Sequence, residues 1–201
     1  MRCIRNLHFT LLKMRISAGK FKGLKLHTPN PQKDKKTLRP TSGRIRESMF
    51  DILTHGPLGN LIADSSVLDL FAGTGALGME ALSRGAKSAT FIEKNKYNLS
   101  LLERNLLKAQ AIDNSRVLHA DATRLPTNKG HSHDLVFLDP PYRENLIEDG
   151  IQSALNGGWL ANECVLVIES GAPVPASSNW SEQFARRYGT TYITLGEIEH
   201  H

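Results

Sequence analysis

Four carboxylates fall where apolar, strand-like runs end: Asp69 in SVLDLF, Glu93 in FIEKN, Asp121 in HADAT and Asp139 in DLVFLDPPYRE. An acid in such a place needs a hydrogen-bond donor or a cation, because a lone charge beside apolar surface is costly. After Asp69 the residues Gly73-Thr74-Gly75-Ala76-Leu77-Gly78 spell GxGxxG, and Glu93 follows Gly73 by 20 residues. That pattern lets a backbone turn approach a ligand at a helix N-terminus and sets an acid on a ribose. By itself it fits a dinucleotide and S-adenosylmethionine equally. Asp69 tilts the balance, since it would satisfy the ammonium of a methionine moiety and would repel a pyrophosphate; the plainer alternative is an acid that caps the glycine turn. Asp121 is placed either to accept from an adenine amino group or to close an Asx-turn.

The segment Asp139-Pro140-Pro141-Tyr142 carries the most specific chemistry. Proline donates nothing to a sheet ladder and restricts the residue before it, so the pair stops a strand and holds the next carbonyls still. An exocyclic nucleobase amine is a poor nucleophile because its lone pair is delocalised into the ring. Two fixed acceptors, the Asp139 carboxylate and the Pro140 carbonyl, would draw both N–H bonds and aim the lone pair at a methyl donor. Tyr142 then offers a face for a flipped base, a contact worth about 1–3 kcal/mol. A proline-stopped strand followed by a surface turn is the bland reading of the same four residues.

The elements that must carry these residues alternate in type. Strands are expected at 66–71, 88–92, 116–119, 134–138, 163–169 and 192–195, helices at 76–84, 96–109 and 146–155, and a mixed segment at 181–187. An earlier helix follows the Thr41-Ser42-Gly43 caps, with Ile45, Met49, Phe50, Ile52 and Leu53 on its apolar face. This alternation predicts an α/β, Rossmann-like fold: a mostly parallel sheet with helices on both faces and its ligand at the carboxyl ends of the strands.

Charge is uneven along the chain. Residues 1–46 hold 13 of the 25 Lys and Arg and a single acid, Asp34, so that the N-terminal quarter is about +12 and the rest about −7. A basic arm on an acidic body is the footprint of a polyanion partner. MRISAGKFKGLKLHTP alternates Ile16, Ala18, Leu24 and Leu26 around a glycine-bearing turn, which predicts a small β-hairpin displaying Lys20, Lys22 and Lys25. Arg39, Arg44 and Arg46 in RPTSGRIRES are further phosphate-contact candidates, with a helix-surface role as the alternative. The chain has no run of 18 apolar residues, so no membrane span is expected. Cys3 and Cys164 lie far apart, and Cys164 sits in the apolar run CVLVIE, which reads as a buried thiol in a reducing compartment. His131 and His133 fall in a polar loop without a third ligand, so no metal is expected. His55 and His119 read as structural or surface residues, and Trp159 and Trp180 as packing.

Taken together, DLFAGTGALGMEALSRGA, FIEKN, ADA and FLDPPY resemble the class I methyltransferases that act on nucleobase amines. With MRISAGKFKGLKL and RPTSGRIRESMFDIL added, the chain from Met14 to about Leu195 resembles the RsmD family, which methylates N2 of one guanine in bacterial 16S ribosomal RNA. The resemblance implies a seven-stranded sheet whose last hairpin is reversed, S-adenosylmethionine as cofactor, and a cytoplasmic monomer acting on 16S rRNA or an assembling small subunit. It implies Asp69, Gly73 and Gly75 around the methionine end, Glu93 at the ribose, Asp121 and the Ala122 backbone at the adenine, Phe71 and Lys94 as further cofactor-binding residues, and Asp139, Pro140, Pro141 and Tyr142 as the amine pocket. The expected division is a leader over 1–13, a basic hairpin and loop over 14–40, the catalytic domain over 41–196 and a tail over 197–201 that ends in tag-like His200 and His201. Three other readings compete. An adenine-N6 DNA or protein-glutamine methyltransferase also uses a Pro-Pro pocket, usually spelled NPPY. An NAD-dependent oxidoreductase fits GxGxxG and Glu93 but leaves DPPY unexplained. A non-catalytic RNA-binding protein would have no need of an intact DPPY.

Overall fold

Strands such as SVLD, SATFIE and HDLVFL are apolar on both faces, which only a sheet covered on both sides can accommodate. The computed structural model describes residues 14–30, 43–141 and 146–199. In chain order the elements are α1 (Gly43–His55), β1 (Ser66–Asp69), α2 (Ala76–Ser83), β2 (Ser88–Glu93), α3 (Lys96–Ala109), β3 (Ser115–His119), β4 (His133–Leu138), α4 (Leu146–Asn156), β5 (Leu160–Ser170), β6 (Trp180–Tyr188) and β7 (Thr191–Ile198). The strands form one seven-stranded sheet in the order β3-β2-β1-β4-β5-β7-β6. The first five strands are parallel, and β7 runs antiparallel to both β5 and β6. Winding reverses between β1 and β4, the place where such sheets open a crevice for a ligand.

Alternation along each strand divides the core. Val67, Phe91 and Phe137 join Phe50 of α1, Met79 of α2 and Leu102 of α3 on one face. On the other face, Leu68, Ile92, Val136 and Leu166 pack with Ile151 and Ala154 of α4 and with the fully buried Trp159 and Trp180. Helix α3 shows how directly sequence dictates an element here. Asn95 caps it by accepting from the Tyr97 and Asn98 N–H groups, and Asn98, Leu101, Leu102, Asn105, Leu106 and Ala109 form its buried stripe. Gln110 then ends it in the left-handed conformation at φ 54°.

Three expectations change. Segment 181–187 is part of the edge strand β6; it pairs only with β7 and is mostly exposed, and Phe184 alone of its residues packs against the core, so its sequence carries no strand period. Strand β7 runs on to Ile198, past the expected end at Leu195. The basic N-terminal hairpin is shorter than a pair of regular strands. Residues 14–30 form a strap whose two arms meet at the antiparallel bridge Arg15↔Lys25, where the Ile16 N–H donates to the Leu24 carbonyl, that of Gly23 to Ile16 and that of Leu26 to Met14, with a 3-10 turn over Gly19–Phe21 between them. Toward the turn the backbone leaves the ladder for α2: the Ser17 and Ala18 N–H groups donate to Glu80, and that of Phe21 donates to the Ser83 hydroxyl. Among the described residues no helix is long and apolar enough to cross a membrane.

Candidate active site

Strand register brings the acids together. Asp69 pairs with Phe91, and Glu93 stands two residues further along β2. Glu93 in turn pairs with His119, and Asp121 stands two residues beyond that. On the other side Asp69 pairs with Phe137, and Asp139 is two residues further still. A two-residue step preserves the face and advances about 7 Å, so the four acids follow one alternation across the carboxyl ends of β3, β2, β1 and β4. The charges of Asp139 and Glu93 are both felt at Asp69.

Asp69 is 1% exposed, and its Oδ2 accepts from the Gly78 N–H of α2 at 3.0 Å. That bond belongs to the capping role. Burial nevertheless outweighs it and, with the neighbouring Asp139 and Glu93, pushes the Asp69 carboxyl up to about 7. A cation placed beside such a buried acid would favour its charged form. It also occupies the first turn of α2, where the pyrophosphate of a dinucleotide would have to lie.

Glu93 is buried, and its two oxygens accept from the N–H groups of Gly73 at 2.7 Å and Asn95 at 2.6 Å. Burial raises its pKa against those hydrogen bonds. The carboxylate thus pins the glycine turn to the end of β2 and keeps lone pairs for a further donor. At Gly75, φ is 84° and an added Cβ would lie 2.3 Å from Leu102 Cδ1, so side chains beneath the turn require glycine there. Gly73, at φ 55°, has open space: the nearest atom to an added Cβ is the Phe71 carbonyl oxygen at 4.0 Å. Phe71 is half-buried against the α4 face of the core.

Asp121 closes the turn over Ala122–Arg124, accepting from the Thr123 N–H at 3.1 Å and hydroxyl at 2.9 Å, while Lys94 Nζ lies 3.2 Å from its other oxygen. Partial burial would raise its pKa, but the Thr123 bonds and the Lys94 ammonium together hold it below the usual value. Ala122 is buried. Asp139 and Pro140 are half-buried just past β4, and Pro141 is exposed. Tyr142 lies outside the described residues, as do Arg39, the 1–13 segment and the two terminal histidines.

The cationic candidates divide. Lys20, Lys22, Lys25 and Arg44 are exposed. Arg46 is 3% exposed, and the structure removes it from any RNA-facing set. It donates to the Arg15 carbonyl, and its Nε lies 3.8 Å from Glu80 Oε2. Lys20 and Lys22 flank a turn that packs against Ser83, at the opposite end of α2 from the glycine turn. Those lysines therefore lie by the far end of α2, one eight-residue helix or about 12 Å along its axis from the glycine turn.

His133, expected in a polar loop, is a buried residue of β4 whose Nδ1 and Nε2 each lie 2.9 Å from a partner, the Trp159 carbonyl and the Thr90 hydroxyl. Burial lowers its pKa. Among the described residues no group of three or more His, Cys, Asp or Glu is disposed to hold a metal ion.

Two polar residues that support the site went unread in the sequence. Glu80, with no exposed surface, accepts from the Ser17 hydroxyl and from Arg84 Nε as well as from the strap N–H groups, and so ties the strap to α2. Asn105 of α3, equally buried, accepts from the His27 N–H and donates to the carbonyls of His27 and of Thr74 in the glycine turn. A polar residue in the middle of a helix's apolar stripe is the signal that points to each.

Comparison with known proteins gives concordant matches. The family described as conserved hypothetical protein 95 matches residues 14–197. A protein of Escherichia coli K12 described as ribosomal RNA small subunit methyltransferase D is 42% identical over 174 residues, covering 84% of this chain and 82% of that one. A protein of Haemophilus influenzae with the same description is 36% identical over 178 residues, covering 84% and 86%. Among solved structures, one described as a putative methyltransferase from Escherichia coli superposes with a TM-score of 0.75 at 37% identity, over 93% of this chain and 98% of that one.

Proposed function

The chain belongs to the conserved hypothetical protein 95 family, together with the ribosomal RNA small subunit methyltransferases D, and from that premise we propose that it methylates the exocyclic N2 amine of a guanine in bacterial 16S rRNA, using S-adenosylmethionine. The observation that carries this reading is the row of four carboxylates in strand register, ending at Asp139-Pro140-Pro141. An acting site in the cytoplasm, where ribosomal RNA is handled, is part of the same proposal.

The residues fit the cofactor. Buried Asp69 calls for a cation such as the methionine ammonium, and the open space at Gly73 admits a ligand against the backbone. Glu93 would take the ribose hydroxyls on its remaining lone pairs, with Asp121 and the Ala122 backbone at the adenine and Phe71 and Lys94 as further contacts to the cofactor. When bound, S-adenosylmethionine supplies a methyl group on an electrophilic sulfonium. The protein's own work is positioning. Asp139 and the Pro140 carbonyl each accept one N–H of the target amine, which localises the lone pair on nitrogen and directs it toward the glycine turn. Pro141 keeps the Pro140 carbonyl from swinging. Tyr142 stacks on the extruded guanine. The proton shed by the amine passes to Asp139 or to water.

The test is transfer of label from tritiated S-adenosylmethionine to small-subunit RNA taken from cells that lack the modification. Incorporation into RNA is the expected result. A protein that binds S-adenosylhomocysteine and labels no RNA would overturn the proposal.

A further inference from the structure

The strap lysines lie a helix length from the glycine turn, so an RNA held only there would leave the strand beside the target nucleotide unsupported. The other half of the sheet offers a surface level with Asp139, at the carboxyl ends of the parallel strands. In strand register, Leu138 pairs with Ile168, so Asp139 stands level with Glu169; Glu169 pairs with Ile193, and Ile193 with Arg186. Arg186 therefore lies on the same crosswise row as Asp139, three strand spacings or about 14 Å away. That is about four nucleotides at the 3.4 Å step of a stacked strand.

The tip of the β6–β7 hairpin is also built from the residue types that grip single-stranded RNA. The Arg186 guanidinium lies over the Tyr188 ring at 5.6 Å, and that of Arg187 over Tyr192, its register partner, also at 5.6 Å. Adjacent strand residues point to opposite faces, so the tip carries one arginine–tyrosine pair on each face. Both arginines are exposed and both tyrosines half-buried. Charge is graded along the hairpin as well. The exposed Glu182, Glu197 and Glu199 sit at the end remote from the active site, where Ser181 pairs with Glu197 and Glu182 with Gly196. A polyanion is thus drawn to the tip and repelled from the base.

We propose that this tip, Arg186 and Arg187 with Tyr188 and Tyr192, is a second RNA-binding surface that holds the nucleotides flanking the target. The inference rests on the RNA-methylation reading. The arginines contact phosphates, and the tyrosine rings give bases a stacking face. The occupant is single-stranded or loop RNA, because an edge strand with a ring on each face suits splayed bases and not the deep groove of a duplex.

Binding of unmodified small-subunit rRNA, measured at several salt concentrations with the full chain, is the test. Two lost phosphate contacts reduce the slope of log K against log salt by about 1.4 and weaken binding about fifteenfold at 0.15 M salt. The Arg186→Ala/Arg187→Ala double variant should show both changes and keep the wild-type thermal shift with S-adenosylhomocysteine. Arg187→Glu alone should weaken binding further than Arg187→Ala, and Glu182→Gln at the base should not weaken it. A double variant that binds within twofold of wild type with the wild-type slope overturns the hairpin proposal and spares the RNA-methylation reading. A wild-type protein that binds no RNA removes both.

Discussion

Replacing Asp69 with Asn separates the charge of that residue from its shape. The carboxyl is 1% exposed, and burial followed by the charges of Asp139 and Glu93 raises it from 3.8 to about 7, against the Gly78 hydrogen bond. A shift of about three units corresponds to about 4 kcal/mol of cost for the ionised form. Because the folded chain holds this proton more tightly than the unfolded chain, stability falls as pH rises from about 4 to about 7 and is level above that. Asp69→Asn keeps an oxygen for Gly78 and carries no charge, so it should stabilise the free protein at pH 8 by up to about 4 kcal/mol. A cationic ligand acts in the opposite sense: it favours the ionised carboxyl, so binding below pH 7 must release a proton. Calorimetric titration with S-adenosylhomocysteine should show affinity rising up to tenfold per pH unit toward pH 7 and then levelling off. Glu93, also raised by burial, adds to the rise, and Glu93→Gln removes its share. Asp69→Asn should bind more weakly at pH 8 and lose the remaining pH dependence. Wild-type affinity that is flat between about pH 5 and 8, or undiminished binding by Asp69→Asn, would show that the carboxyl meets no cation.

Three other perturbations probe the supports. Glu80→Leu strands the Arg46 guanidinium in the core and should cost about 3–5 kcal/mol in urea unfolding; a loss under 1 kcal/mol would mean that the pair does not hold the strap. Gly75→Ala puts a Cβ 2.3 Å from Leu102 Cδ1 at a φ of 84°. It should cost about 1–2 kcal/mol for the backbone and about 1–3 for overpacking, with weaker cofactor binding, whereas wild-type stability would refute the packing argument. Lys20→Ala with Lys22→Ala should lower the salt slope of RNA binding by about 0.7 per lost contact and leave turnover at saturating RNA unchanged; an unchanged slope would remove both lysines from the RNA surface.

How far the sequence revealed this depends on which forces act locally. Helix α3 was legible to the residue because its cap, Asn95, and its stripe lie within one stretch of chain. The strand-end acids were legible for a similar reason: each closes its own apolar run, and a sheet with a period of two carries the rest. Edge strand β6 was not, since only Trp180, Phe184 and Tyr188 of its nine residues meet the core, at intervals of four that carry no strand period. Arg46 was misread as a phosphate contact because its partners, Glu80 and the Arg15 carbonyl, are distant in sequence and only the packed fold brings them together. The N-terminal alternation of Ile16 and Leu26 correctly marked buried residues that bond across the two arms, yet not that Ser17 and Ala18 turn their N–H groups to α2 and keep the pairing short. His133 likewise looked like loop because its partners, Thr90 and Trp159, belong to other elements.

Nucleoside mass spectrometry of small-subunit rRNA after reaction with wild type and with Asp139→Asn tests the account at its centre. Wild type should yield N2-methylguanosine and no other new methylated nucleoside, and Asp139→Asn should yield none while binding S-adenosylhomocysteine as tightly as wild type. Methylation of an adenine, or N2-methylguanosine formed at an undiminished rate by Asp139→Asn, would contradict it.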